Sequence, residues 1–248
     1  MGIVQETMHT QNLMRDPQLV MTKDGSHSLW VPELKESYHS THGAIQEAEH
    51  VFIRHGLLHG LSRKMESRIS ILEIGLGTGL NALLTCLVSS TKRVLVAYTG
   101  LEPYPVPYKY VQRLNYVAQL TPKRDHAIAS KDLRVIFEKL HQGVSASACR
   151  LSDYFLFKKS NCPLQAFSAP PNTFDIVYFD AFSPGRQPTM WSRDMLQKVY
   201  HMMKCDGILV TYCAQGKFKN NLRQLGMYVE ALPGPPGKRE MTRAQKQE

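Results

Sequence analysis

The sequence contains no run of about 18 apolar residues, the length a membrane-spanning helix needs, so it is not expected to cross a bilayer. Met1 to Arg15 is polar, with no apolar stretch followed by a cleavage site, and does not read as a signal peptide. Cysteine is scarce: Cys86, Cys149, Cys162, Cys205 and Cys213 form an odd, widely spaced set with no C-x-x-C. That pattern speaks against a disulfide framework and against a zinc site, and fits a reducing cytoplasm. Acidic residues are in deficit, 21 against 30 Lys+Arg, for a net charge of +9. A basic surface concentrates polyanions, of which nucleic acid is the commonest inside cells. Internal repeats and low-complexity tracts are also missing.

With 248 residues, 43% of them hydrophobic, the chain can bury a full core as one α/β domain with elaborations. Residues 1–19 lack periodicity and are expected to be flexible. An N-terminal extension, 20–65, follows. In it, Asp24-Gly25 turns a hairpin over Leu19–Val31, and the apolar face of Ala44, Ile45, Ala48, Val51 and Phe52 predicts a helix to about Leu58. Residues 66–248 then alternate strand and helix. Strands are expected at Ile69–Ile74, Val94–Leu101, Ala148–Leu151, Phe174–Phe179 and Gly207–Cys213. Helices are expected from Leu80, over Tyr108–Ala118 and Arg124–Leu140, at Arg193–Met203 and at Phe218–Leu225. This pattern predicts a mostly parallel, Rossmann-like sheet with helices on both faces. Met227–Leu232 and Arg239–Thr242 flank Pro233-Gly234-Pro235-Pro236-Gly237 and predict an antiparallel C-terminal hairpin.

The turn Gly75-Leu76-Gly77-Thr78-Gly79 joins the first parallel strand directly to a helix. Glycines at alternate positions let backbone approach a ligand without Cβ clashes, and such turns lie at the carboxyl ends of strands, where open sheets bind ligands. A dinucleotide fingerprint would place the third glycine one position later. Glu73 adds a carboxylate at the strand end, which suits a cofactor carrying a sulfonium and an ammonium better than one carrying a pyrophosphate. S-adenosylmethionine is therefore the expected cofactor. Its contacts are expected from Glu73, Gly75, Gly77, Thr78, Gly79 and Asn81, with Glu102 as bidentate acceptor for ribose hydroxyls. Asp153, after the third strand, either lies beside the adenine amino group or is a capping or surface acid.

Asp180 leaves the fourth strand at the same cleft, followed by Ala181-Phe182-Ser183-Pro184 and, further on, Pro188 and Met190-Trp191. A carboxylate at the base of a stiff aromatic loop can hold a nitrogen nucleophile beside a flat substrate. A free alkylamine has a pKa near lysine's, about 10.4, so it must lose a proton before attack. Asp180 is the candidate orienter and, secondarily, base.

At these residues the chain resembles the methyltransferase part of the tRNA wobble-uridine enzymes that make 5-methylaminomethyl-2-thiouridine. The resemblance runs from about Thr22 to Ala244. It rests on Asp24-Gly25-Ser26-His27-Ser28-Leu29, Tyr38-His39-Ser40 with Gly43–Glu47, Gly75–Asn81, Asp180–Pro184 with Pro188 and Met190-Trp191, Gly207–Tyr212, and Gly237-Lys238-Arg239-Glu240-Met241. It implies transfer of a methyl group from S-adenosylmethionine to the exocyclic amine of a 5-aminomethyl uridine in tRNA. Some members carry a flavin-dependent domain that prepares the amine. The chain ends soon after Met241, so no FAD domain is expected and another enzyme would have to supply the amine. Ala181 stands where some relatives have glycine, and Pro235-Pro236 stiffen a hairpin tip that varies.

Other residues leave alternatives open. Tyr38, His39, Gln46 and Glu47 either close over cofactor or base or merely start a helix, Glu47 being the best single candidate. Phe182 and Trp191 are candidates for stacking on a base, although an aromatic opening a helix commonly packs inward. Lys217, Lys219, Arg223, Lys238, Arg239 and Arg243 bias the C-terminal region toward phosphate contacts, with Lys238 and Arg239 the chosen substrate ligands. His55 and His59 are spaced i, i+4 without a third ligand, so no metal is expected. The rival readings are a small-amine transferase of the polyamine-synthase type, and an RNA-binding protein with a vestigial cofactor fold.

Overall fold

A computed structural model describes residues 16–63, 68–121, 128–142 and 147–247. The expected flexible N-terminus therefore lies almost wholly outside the described residues, as does the start of the helix expected from Arg124. Three strands, β1 (Gln18–Met21), β2 (His27–Val31) and β3 (Glu36–Ser37), form a small antiparallel sheet. Asp24 holds its turn: its carboxylate accepts from Thr22 Oγ1 at 2.7 Å and Ser26 N at 3.0 Å, and across to Gln46 N at 3.0 Å. One side chain thus closes the hairpin and satisfies an orphan N–H in the first turn of the next helix. That helix, α1, is α-helical over Ala44–Ala48, π-type over Glu49–Leu58 and α-helical again over His59–Ser62. Its Gly56 lies so close to the main sheet that a Cβ would stand 3.0 Å from the Tyr178 ring.

The main sheet has eight strands in the order β10-β11-β9-β8-β4-β5-β7-β6. β4 (Arg68–Ile74) pairs in parallel with β5 (Leu95–Leu101) and β8 (Phe174–Phe179). β7 (Phe155–Ser160) and β9 (Met203–Thr211) extend the parallel block on either side. Strand order reverses at β4, between β5 and β8, which is where a doubly wound sheet opens a cleft at its carboxyl end. The central strands are largely apolar because both faces are covered. Ile69, Ile71, Ile176, Tyr178, Ile208 and Val210 enter one core with α1, Leu29 and α2 (Leu80–Lys92), whereas Leu72, Ile74, Val177, Phe179 and Leu209 enter the other. The N-terminal extension therefore shares a core with the sheet.

Along the chain follow α3 (Tyr108–Val111), α4 (Tyr116–Leu120), α5 (Ser130–His141), a 3-10 turn at Pro188–Trp191, α6 (Arg193–Met202) and α7 (Gly216–Gln224). The single helix expected over Tyr108–Ala118 is thus two short ones. The C-terminal hairpin, β10 (Met227–Pro233) and β11 (Glu240–Lys246), forms as expected, with β11 antiparallel to β9. The third parallel strand differs from expectation. Residues Cys149–Ser152 form β6, an antiparallel edge strand, and the parallel strand is β7, which the sequence reading missed. Its Phe155-Leu156-Phe157 start is followed by Lys158 and Lys159, which break the apolar run, yet Lys159 is itself buried.

Replacing Asp24 by alanine removes a turn closure and a helix cap together. The expected cost is about 1–2 kcal/mol, read as a lower denaturant midpoint at unchanged slope. An unaltered midpoint would mean that the turn holds without this carboxylate.

Candidate active site

The cleft at the carboxyl ends of β4, β5, β7 and β8 encloses about 680 Å³. Gly75 (φ 88°) and Gly77 (φ 49°) form its floor in conformations that disfavour a side chain. A Cβ on Gly75 would overlap the carbonyl oxygen of Asp180, and one on Gly77 would lie 2.9 Å from the Tyr38 ring. Gly79 (φ 73°) instead caps α2, and its missing side chain makes room for His141. Thr78 turns away from the cleft, its hydroxyl bonded to His39 Nε2 at 2.6 Å and Tyr116 OH at 3.2 Å. Gly79 and Thr78 belong to the wall of the turn and do not line the cavity, whereas His39 does.

Glu102, at the end of β5, accepts from Gly77 N at 2.7 Å and from Tyr104 N at 3.0 Å. These bonds fix the glycine turn against β5 and leave the carboxylate facing the cleft with spare lone pairs. Burial pushes its pKa up to about 7, against the lowering effect of those two N–H groups. Asp180 also lines the cleft; its Oδ2 accepts from Asn81 Nδ2 at 2.9 Å, and the same amide donates to Glu73 Oε1 at 2.9 Å. Burial, then the negative charge of Glu47, raise Asp180 to about 7, while Asn81 and Lys238 act the other way. Such carboxyls favour the fold when protonated. Their contribution is fully present below the ordinary values of 3.8 and 4.5 and is lost as pH rises through about 7.

Glu73 departs from expectation. It is fully buried beneath the turn and outside the cavity lining, and burial followed by the Asp180 charge hold its pKa well above the carboxylate range. The negative charge facing the cleft therefore comes from Asp180, Glu102 and Glu47. Asn81 Oδ1 is buried without a hydrogen-bond partner, so the relay beneath the turn is incompletely satisfied.

The remaining candidates separate clearly. Glu47 lines the cleft, accepting from Ser40 N at 2.7 Å and pairing with Lys238 Nζ. Phe182 lines it too, edge-on to Tyr38 at 5.0 Å, and Glu36 pins this loop by accepting from Ser183 N at 3.0 Å and Ser183 Oγ at 2.7 Å. Asp153 is a correction: it is exposed in the β6–β7 turn. The neighbouring Tyr154 carbonyl accepts from Val96 N near the start of β5, so Asp153 lies at the sheet's other end. The segment that follows β7 at the cleft, Pro163-Leu164-Gln165, takes its place in the lining. Trp191 is also corrected. Its indole is 5% exposed, packed on Phe179 and Phe218 and donating to the Phe182 carbonyl at 2.8 Å, and it stays outside the lining. Arg239 is exposed and away from the lining.

The basic C-terminal group is partly consumed internally: Arg243 grips Glu230 through two bonds at 2.7 and 3.1 Å, and Lys219 pairs with Glu240 at 3.0 Å. Trp30, Leu34, Lys35 and Tyr212 join the lining without having been singled out. Tyr212 closes the Gly207–Tyr212 motif, whereas the other three had a signal only in their neighbours in the N-terminal motifs. Among the described residues, no three His, Cys, Asp or Glu side chains gather as a metal site, all five cysteines are free, and no helix is long and apolar enough to cross a membrane.

A doubly wound sheet with this strand order, a glycine turn after its first parallel strand and acids at the ends of β5 and β8 has the fold of class I S-adenosylmethionine-dependent methyltransferases. Residues 160–247 match the model of a family described as S-adenosyl-L-methionine-dependent methyltransferase. The chain is homologous over most of its length to the methyltransferase part of the tRNA 5-methylaminomethyl-2-thiouridine biosynthesis bifunctional protein MnmC. It is 29% identical to the protein of Magnetococcus marinus over 217 residues and 28% identical to that of Cupriavidus metallidurans over 237, covering 86% and 90% of this chain. It spans only about a third of those relatives, 31% and 33% of their lengths. The crystal structure of MnmC2 from Aquifex aeolicus shares the fold, with a TM-score of 0.69 at 22% identity over 98% of this chain and 75% of that one.

S-adenosylmethionine fits the residues present. Gly75 and Gly77 bring bare backbone to the cleft lining, and two acids with pKa values of about 7 would face a cofactor that carries positive charge. Gly75→Ala is expected to weaken cofactor binding by at least about tenfold, because the turn must move off the Asp180 carbonyl. Calorimetry with S-adenosylhomocysteine checks this, and wild-type affinity would show that the close approach is dispensable.

Proposed function

We propose that the protein methylates the exocyclic amine of a 5-aminomethyl uridine at the wobble position of tRNA, in the cytoplasm. One observation carries the reading: Asp180 stands in the same cleft as the glycine floor and Glu102, with the Phe182 loop beside it. When bound, S-adenosylmethionine supplies an electrophilic methyl group. In this reading, the chain's own residues bind and orient. Gly75, Gly77 and Glu102 receive the cofactor, Pro163–Gln165 flank its base, and Phe182 and Tyr38 border the entering uracil.

Geometry is the main catalytic demand, since alignment of this sort can supply about 7–11 kcal/mol of a barrier. Asp180, fixed through Oδ2 by Asn81, presents its carboxylate to the substrate amine and accepts a proton from the ammonium form. A pKa of about 7 keeps it partly ionised at neutrality, suitable for that exchange. The homology to MnmC supports the tRNA substrate. Against a small-amine transferase, Lys238 places a cation inside the cleft, which disfavours a polycation.

The test is incubation with labelled S-adenosylmethionine and tRNA bearing the unmethylated aminomethyl group. Label is expected in the wobble nucleoside; its absence from protein shown to bind cofactor would refute the assignment. Asp180→Asn should keep cofactor affinity within a few-fold and lower turnover by about 10²–10⁴-fold. Near-normal turnover would remove Asp180 from the chemistry.

A positive cofactor favours the ionised forms of Asp180 and Glu102. Its affinity should therefore rise with pH up to about 7 and level off above, with proton release on binding below that value. Calorimetry in buffers of different ionisation enthalpy reads both, and a flat profile between about pH 6 and 8 would contradict the assignment of these acids.

A further inference from the structure

The C-terminal hairpin reaches into the cleft. Gly237, with φ 85°, lies against the ring of His42, where any Cβ would overlap it. The hairpin tip is closed by Lys238 N donating to Pro235 O at 2.9 Å and Gly234 N to Arg239 O at 3.1 Å. From this fixed backbone the Lys238 side chain runs inward. Its ammonium pairs with the Glu47 carboxylate and stands 3.9 Å from the centre of the Tyr212 ring. Glu47 is held in turn by Ser40 N, and Tyr212 by donating to the Ala181 carbonyl at 2.8 Å, next to Asp180. Glu47, Tyr212, Asp180 and Lys238 all line the same cavity.

A carboxylate, an aromatic face and a second carboxylate close by form a receptor for a primary alkylammonium, and a lysine head is itself a primary alkylammonium. We infer that Glu47 and Tyr212 form the amine subsite of the cleft and that Lys238 occupies it as an internal plug, which the substrate ammonium displaces.

The inference rests on the amine-methylating reading above and adds a specificity device to it. A small free amine must compete with a tethered ammonium at high effective concentration. An amine carried on a polyanion has an advantage, because phosphates near the mouth stabilise the expelled Lys238 outside. The four-carbon stem allows that movement without disturbing the hairpin backbone. The plug thus favours a nucleic-acid-borne amine over free amines and polyamines, using a residue whose sequence context suggested only a surface phosphate contact.

The test needs no RNA. Full-length protein saturated with S-adenosylhomocysteine is titrated calorimetrically with n-butylammonium. Lys238→Met is expected to bind the probe at least about tenfold more tightly than wild type, and adding Glu47→Gln should abolish that gain. Equal binding by Lys238→Met and wild type would overturn the plug. A second measurement does not depend on that variant. In Glu47→Gln alone the released Lys238 should be acylated several-fold faster in wild-type-like conditions, followed by mass spectrometry, and an unchanged rate would contradict the pairing that holds it. If the tRNA assay fails while the probe gains affinity in Lys238→Met, the amine subsite stands and the tRNA substrate falls. The reverse outcome removes the plug alone.

Discussion

The close approach between the glycine turn and the end of β8 is the constraint on which the rest of the site depends. Gly75 touches the Asp180 carbonyl so nearly that no side chain fits, and Asp180 N donates to the Ile74 carbonyl at 2.9 Å. Asn81, the second residue of the following helix, bridges Glu73 beneath and Asp180 beside it. Glu102 holds Gly77 from the other side. The glycine floor of the cleft and the Asp180 carboxylate are therefore positioned by one contact network. A disturbance of either is transmitted to the other over a few bonds.

Placing several buried acids around one cleft is costly, and the structure offsets that cost in different ways. Glu73 is driven toward its neutral form by burial. Asp180 and Glu102 sit near neutrality, poised to ionise when positive charge arrives. Glu47 is neutralised by Lys238. Such a cluster of acids gains most from a cationic ligand, and in the proposed reading this links cofactor binding to the ionisation of Asp180. The N-terminal extension contributes as well. Glu36 fixes the Ser183 loop, and Tyr38 packs against both Gly77 and Phe182, so a segment outside the parallel sheet shapes its mouth.

Much of this was legible in the sequence, and the failures have physical causes. β8 was read with its observed bounds because it is buried on both faces and ends at a turn. The glycine turn declared itself by spacing, and the C-terminal hairpin by its Pro/Gly tip. β7 escaped because Lys158 and Lys159 interrupt its apolar pattern, and a buried lysine is invisible to hydropathy. That single miss put the third strand's carboxyl end, and Asp153 with it, at the opposite end of the sheet from the cleft that Pro163–Gln165 line. Trp191 and Lys238 part ways, the aromatic turning into the core and the cation into the cleft. Such choices depend on partners distant in sequence, Phe218 and Glu47 respectively.

The central claim is that one cleft holds the cofactor and an amine nucleophile side by side. The most direct measurement is a crystal structure of the protein with S-adenosylhomocysteine and a 5-aminomethyl uridine nucleotide. The account predicts the cofactor sulfur above the Gly75–Gly77 floor, its ribose on Glu102, and the amine nitrogen about 3 Å from Asp180 and facing the sulfur. A cofactor seated elsewhere, or an amine turned away from Asp180, would contradict it.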